Sequence, residues 1–147
     1  MHREGNKMNN KICIKLKNKE ITTAINFLDR MNLKPKDSRH RSKFVKQLNK
    51  ALLELSEEEK TLMNKFELID SNGQLKSDND RKIDNVFAFN REQTILLEEE
   101  IIVEGGMYAK NLSEVQRILS EYDGVLSGEE AQIYDRLMDE FESQDNE

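Results

Sequence analysis

Four basic residues occur at a spacing that would let them bind phosphate groups. Arg39, Lys43, Lys46 and Lys50 lie three or four positions apart, so a helix through this stretch places all four on one face. Such a row of cations can contact the phosphates of a nucleic acid. The row contains no aromatic residue for base stacking, and its cations could instead pair with carboxylates. These four residues are therefore a candidate binding surface, either for a nucleic acid or for carboxylates.

Carboxylates gather in a similar way near the C-terminal end. Six of them lie along one predicted helix and form a candidate acidic surface: Glu129, Glu130, Asp135, Asp139, Glu140 and Glu142. A negative helix face could imitate nucleic acid and occupy a basic groove of another protein, with an affinity that salt weakens. An ordinary solvated face is the simpler interpretation and is favoured, because charged residues are mostly exposed.

No residue pattern indicates a catalytic or metal site. The histidines are His2 and His40, and Cys13 is the one cysteine, so no intrachain disulfide can form. The oxygen-rich stretch at residues 70–80 has Gly73 in fourth place, whereas an EF-hand loop has its glycine in sixth place. We therefore predict that the protein is not an enzyme and has no cofactor or metal ion.

The charge is distributed unevenly along the 147 residues. Residues 1–50 contain 14 Lys and Arg against 4 Asp and Glu, and the remainder contains 9 against 25. The two parts could neutralise each other or face different partners. The sequence has no apolar run long enough for a membrane span or a signal peptide. We therefore predict no membrane partner and a cytoplasmic location.

One amphipathic helix is predicted over residues 36–55, with Asp37 or Ser38 as its cap and a second helix starting at Ser56. Its apolar face contains Phe44, Val45, Leu48, Ala51, Leu52 and Leu55. Arg41 falls inside this apolar sector. Because a guanidinium keeps its charge, Arg41 needs a carboxylate or carbonyl partner, or a position at the end of the helix from which it reaches water. It is a candidate buried ion pair.

The remaining elements predict the fold class. Residues 11–16 alternate between charged and apolar types, as a half-buried strand does, and residues 101–103 form a second strand that would pair with it. Helical spacing recurs in most other segments, and Asn18 is the candidate N-cap of the first of these helices. The polar stretch at residues 70–84 is predicted to be a mobile loop. The prediction is a predominantly helical α+β fold, with about five or six helices around a small two- or three-stranded sheet.

A single globular domain is predicted over residues 11–142. Residues 1–10 and 143–147 are expected to be flexible tails.

Three segments carry a resemblance to a known family: KICIKLKNKEITTAINFLDRMNLKPKDSRHRSKFVKQL, EIIVEGGMY and LSGEEAQIYDRLMDEFE. They resemble small proteins that phages and prophages of Gram-positive bacteria encode, which form a domain family of unknown function. The resemblance implies a phage-derived protein that acts inside a bacterial cell. It implies no catalytic or ligand-binding residue.

The sequence therefore favours a non-enzymatic, phage-derived accessory protein that binds another protein. It would act in phage assembly or inhibit a host factor, with nucleic-acid mimicry by the acidic helix as the sharper form of inhibition. A nucleic-acid-binding protein that uses the basic face at residues 39–50 is the alternative. Exposure of that face would favour nucleic acid, whereas pairing with the protein's own carboxylates would favour protein binding.

Overall fold

The computed structural model describes residues 12–105 and 110–145. Within them the chain forms five α-helices and one two-stranded sheet, which confirms the predicted α+β class. The elements follow one another in this order: β1 (Cys13–Lys17), α1 (Ile21–Arg30), α2 (Pro35–Lys65), α3 (Ile83–Glu98), β2 (Glu100–Glu104), α4 (Asn111–Glu121) and α5 (Gly128–Asp145). Short 3-10 turns lie at Asn18–Glu20 and Asp78–Asp80.

The two strands pair in antiparallel orientation, with Ile14 opposite Val103. Both of these side chains are buried against the helices, whereas Lys15 and Ile102 point to the other, exposed side. The period-two alternation of β1 therefore predicted its buried face correctly. The pairing joins the basic N-terminal part of the chain to its acidic part.

The long helix α2 organises the rest of the molecule. It runs without interruption through Ser56, so the predicted second helix is the continuation of the first. Pro35 occupies the first turn and Lys34 precedes it in extended conformation, so the predicted caps, Asp37 and Ser38, lie inside the helix. Proline suits that position because the first N–H groups of a helix have no intrahelical acceptor.

The buried apolar residues divide the chain into two regions. Nineteen of them form one cluster, contributed by β1, β2, α1, α4, α5 and the first half of α2; we call this region the body. Five others lie outside that cluster: Leu55, Leu68, Ile69, Phe89 and Leu96. They belong to residues 53–98, where the second half of α2 lies against α3, and we call this region the helical hairpin.

A small turn joins the two helices of the hairpin, where a mobile loop was predicted. Ile69 pairs with Leu75, and the Asp70 carboxylate accepts hydrogen bonds of 2.9 Å from the N–H groups of Asn72 and Gln74. Gly73 has a φ of 79°, which glycine adopts without the steric cost that a Cβ brings. The polar sequence of this stretch therefore builds a defined turn.

The ends of the predicted domain fall partly outside the described residues. Residues 1–10 lie outside them, and α5 continues to Asp145, past the expected end of the domain at residue 142. In the described part of the chain, no helix combines the length and the apolar character that crossing a bilayer requires.

Candidate functional site

The predicted basic surface lies on the first half of α2. Arg39, Lys46 and Lys50 are exposed, and no carboxylate of the described residues forms an ion pair with them. Lys43 is only partly exposed. From Arg39 to Lys50 the row extends for about 16 Å, at 1.5 Å per residue. No carboxylate of the described residues therefore covers Arg39, Lys46 or Lys50.

Acidic residues continue the same side of α2 beyond Lys50. Glu54 follows Lys50 by one turn, and Glu57 also lies on this side and is exposed. The cationic surface thus ends where the helical hairpin begins, so a phosphate backbone that followed the helix would meet carboxylates after about three turns.

The predicted acidic surface on α5 is divided between two roles. Glu130 pairs with Arg30 at 3.1 Å, and Glu140 accepts hydrogen bonds of 2.8 Å from both Arg136 and the Lys15 main chain. These two carboxylates therefore have partners within the molecule. The other four are exposed: Glu129, Asp135, Asp139 and Glu142.

Three of the exposed carboxylates form a continuous row. Asp135, Asp139 and Glu142 are separated by four and three positions and therefore lie on one side of α5. Glu129 lies on a different side of the helix. The acidic surface of the structure is thus shorter than the six-residue surface that the sequence predicted.

Arg41 stabilises the end of a helix. Its guanidinium donates hydrogen bonds to the carbonyl oxygens of Leu28, at 2.6 Å, and Met31, at 3.0 Å, and to the Ser38 hydroxyl. The Leu28 carbonyl also accepts from the Met31 N–H at 3.3 Å, and the Arg41 guanidinium adds a side-chain cap to this end of α1. The side chain is only partly buried, and its contacts correspond to the carbonyl alternative rather than to an ion pair with a carboxylate.

Asn18 joins the helical hairpin to the body. Predicted as the N-cap of α1, it is instead buried and donates to the Leu96 carbonyl at 2.8 Å, which caps α3. Lys17 and Lys19 pair with Glu98 beside it. The hydrogen bonds from Lys17 and then Lys19 lower the pKa of Glu98 to about 2.

Two exposed apolar side chains adjoin each other near the start of α3. Ile83 and Phe87 are one turn apart on the side that faces away from the buried residues Phe89 and Leu96. They are 67% and 61% exposed. Ile95 is also exposed, but it lies further round the helix, beyond the exposed Arg91. The sequence predicts the helix but not this surface, because α3 has apolar residues on both of its sides.

Nucleophilic chemistry has little support among the described residues. Burial, and then a hydrogen bond to Glu104 at 3.6 Å, raise the pKa of the Cys13 thiol above its ordinary value. A protonated thiol is a poor nucleophile.

His40 hydrogen bonds to the buried Asn111 at 2.8 Å, which joins α2 to α4. No group of His, Cys, Asp and Glu in residues 12–105 and 110–145 could hold a metal ion.

Residues 12–147 match the family described as a protein of unknown function (DUF1617). Comparisons with curated proteins and with solved structures gave no match.

Proposed function

This chain belongs to the DUF1617 family, and from that premise we propose that it is a non-enzymatic, phage-derived accessory protein that binds another protein. The single observation that carries the proposal is the exposed apolar surface of α3, formed by the adjacent side chains of Ile83 and Phe87. Isolated apolar residues on a surface are ordinary, but contiguous exposed ones mark an interaction site. A bound partner helix or sheet would remove these side chains from water.

The position of this surface supports the proposal. The helical hairpin contains five of the seven large apolar side chains that are exposed among the described residues: Leu53, Leu75, Ile83, Phe87 and Ile95. An exposed apolar side chain contributes little free energy of burial to folding, so this surface does little to stabilise the folded protein. Binding of a partner recovers that free energy.

Such a partner would belong to phage assembly or to the host cell. If the protein inhibits a host factor by nucleic-acid mimicry, the row at Asp135, Asp139 and Glu142 would imitate phosphates and bind a basic groove of that factor. That form predicts salt-sensitive binding, whereas binding through Ile83 and Phe87 alone would change little with salt.

Nucleic-acid binding is the second candidate. The observation in its favour is the exposure of Arg39, Lys46 and Lys50 without carboxylate partners among the described residues. Opposing it are the net charge of −6 and the carboxylates that follow the row along α2. The basic surface would contact few phosphates and bind weakly at physiological salt.

The experiment for protein binding is capture from a lysate of the bacterium that carries the gene. Wild-type protein is compared with the double variant Ile83→Ser/Phe87→Ser and with the control Val125→Ser, which alters an apolar side chain that is 97% exposed in the body. We expect one protein to be captured by the wild type and the control and lost with the double variant. Equal capture by all three would contradict the proposal.

The experiment for nucleic acid is a salt series with mixed DNA and RNA. The variant Arg39→Glu/Lys46→Glu/Lys50→Glu is compared with Lys60→Glu, an exposed change further along α2. Binding that decreases steeply with salt and disappears only in the triple variant would replace protein binding as the leading function. Absence of binding at low salt would eliminate this candidate.

A further inference from the structure

The outer edge of β1 is covered by side chains of α5. The Lys15 N–H donates to the Glu140 carboxylate, and the Lys15 carbonyl accepts from Arg136, both at 2.8 Å. These two bonds occupy the main-chain groups that an additional strand would need. The two-stranded sheet cannot extend on this side.

The outer edge of β2 is open at Ile102. Alternate residues of an antiparallel strand direct their main-chain groups to opposite sides. Because those of Lys15 point away from β2, those of Ile102, directly opposite, point away from β1. The Glu104 carbonyl, two residues on, has the same direction but is occupied, because it accepts a hydrogen bond from Gln47 of α2. No described residue outside the sheet hydrogen bonds to the Ile102 main chain.

A groove runs between this edge and α2. Its volume is 440 Å³, within the range of about 300–1,000 Å³ that ligand pockets occupy. Gln47, Lys50, Ala51 and Glu54 form its helical wall, and residues 101–104 form the strand wall. A polypeptide that paired with β2 would lie in this groove.

The two sides of β2 specify the side chains of such a polypeptide. Glu100, Ile102 and Glu104 share one side, and Ile102 is 60% exposed there. Ile101 and Val103 share the other and pack towards the core. A complementary strand therefore has basic residues opposite Glu100 and Glu104, with three apolar residues between them. β1 shows part of this pattern, because its Lys17 lies opposite Glu100.

A second copy of this chain fits the edge poorly. Antiparallel pairing of β2 with itself, centred on Ile102, places Glu100 opposite Glu104 of the other copy, twice. Like charges directly opposite each other destabilise a strand pair. The carboxylates select a basic strand instead.

We propose that the open edge of β2 binds an extended segment of a partner protein as a third strand, in which basic residues flank a short apolar run. This inference rests on the proposed protein-binding function and adds the chemistry of the partner segment. It concerns a surface separate from Ile83 and Phe87. Main-chain hydrogen bonds to Ile102 provide affinity, and the two glutamates provide specificity.

The test uses the full-length protein and a fluorescent, terminally blocked peptide of sequence KVIVK. Fluorescence anisotropy measures its affinity beside two altered peptides: EVIVE, and KVIVK with the amide before its central isoleucine replaced by an ester. The ester removes only the N–H that would donate to the Ile102 carbonyl. We expect KVIVK to bind saturably, the ester to bind about 5- to 10-fold more weakly, and EVIVE not to bind.

Two protein variants test the same main-chain hydrogen bonds from the side of the protein. Ile102→Pro removes the edge N–H at a position where proline is tolerated, and Ile102→Thr keeps it. We expect Ile102→Pro to bind KVIVK at least about 10-fold more weakly and Ile102→Thr to bind it nearly as well as the wild type. Circular dichroism checks that both variants fold.

The proposal is overturned if KVIVK does not bind, if EVIVE binds equally, or if the ester binds as well as the amide. The last two comparisons use wild-type protein and so do not depend on how a variant folds. A dimer of the wild type that Ile102→Pro abolishes would also overturn it, in favour of a second copy.

The peptide-binding test and the lysate experiment can succeed or fail independently of each other. Peptide binding by Ile83→Ser/Phe87→Ser at wild-type affinity would show that the β2 edge acts independently of the α3 surface. If lysate capture depends on Ile83 and Phe87 while KVIVK fails to bind, the proposed function stands and this inference falls.

Discussion

The body and the helical hairpin use apolar residues in opposite ways. The body has nineteen buried apolar residues, against two large apolar side chains, Ile102 and Val125, that are exposed in its described part. The hairpin buries five and exposes five. Two helices packed side by side cover only one side of each other, whereas the body surrounds its core with helices and a sheet. The hairpin therefore has apolar surface available for a partner.

Aromatic packing shows the same contrast. In the body, Phe27 makes edge contacts with Tyr122 and Tyr134, with ring centroids 6.2 and 6.0 Å apart, and Phe44 lies 6.5 Å from Phe141. No aromatic pair of this kind occurs in the described hairpin. We expect the body to determine global stability, and the hairpin to open at lower free energy.

The largest effect should follow from a cavity in the body. Phe44→Ala should lower the free energy of unfolding by about 3–5 kcal/mol, because Phe44 is fully buried and its neighbours cannot collapse into the space. The matched change Phe89→Ala, in the hairpin, should cost about 1–2 kcal/mol less, since α3 can shift. Urea unfolding measures both, and equal losses would show that the two regions form one cooperative core.

A smaller effect is expected at the junction of the two regions. Asn18→Ala should cost about 0.5–1.5 kcal/mol, because the Leu96 carbonyl loses the Asn18 hydrogen bond and keeps only the one from the Glu99 N–H. Hydrogen exchange should become faster in α3 than in α1. The control Asn90→Ala alters an exposed residue of α3 and should change stability by less than about 0.5 kcal/mol. Faster exchange in the body alone would contradict this account of the junction.

The ion pairs at the same junction predict a pH dependence. The folded pKa of Glu98, about 2, lies below its ordinary value of 4.5. Its contribution is therefore complete above about pH 4.5 and is lost as the pH falls towards about 2. The urea midpoint of Glu98→Gln should decrease less steeply than that of the wild type across this window. Parallel curves would show that the pairs with Lys17 and Lys19 do not form in solution.

The smallest effect is predicted for the exposed surface of the hairpin. Phe87→Ser should change the free energy of unfolding by less than about 0.5 kcal/mol, because the ring is already largely in water. Serine and phenylalanine also have similar helix propensities. Thermal unfolding followed by circular dichroism measures the change. A loss as large as that of Phe89→Ala would mean that Phe87 packs inside the protein.

The elements of the body were predictable from local sequence. The alternation at Ile14 and Leu16 and the helical spacing at Ile25 and Leu28 each identify a buried face, because one side of these elements is clearly polar. The surface of α3 was not predictable in this way. A helix with apolar residues on two sides does not show which side faces the core, and only the position of α2 decides it.

The charged residues show the same limit. Arg41 was expected to need a carboxylate or carbonyl partner, and the structure provides carbonyls at the end of α1. Asn18 was expected to cap the next helix, yet it caps α3, seventy-eight positions away. The residue type shows that each side chain needs a hydrogen-bond partner. Which group becomes that partner depends on packing, because the partner lies elsewhere in the chain.

By itself the sequence determined the α+β class, the two strands and the amphipathic character of the long helix, because side-chain periodicity is a local property. The tertiary structure alone decided which surfaces remain exposed: the basic residues Arg39, Lys46 and Lys50 on α2, the apolar side chains Ile83 and Phe87 on α3, and the edge of β2 at Ile102. Exposure depends on what packs against a surface, and those neighbours lie far away in the sequence.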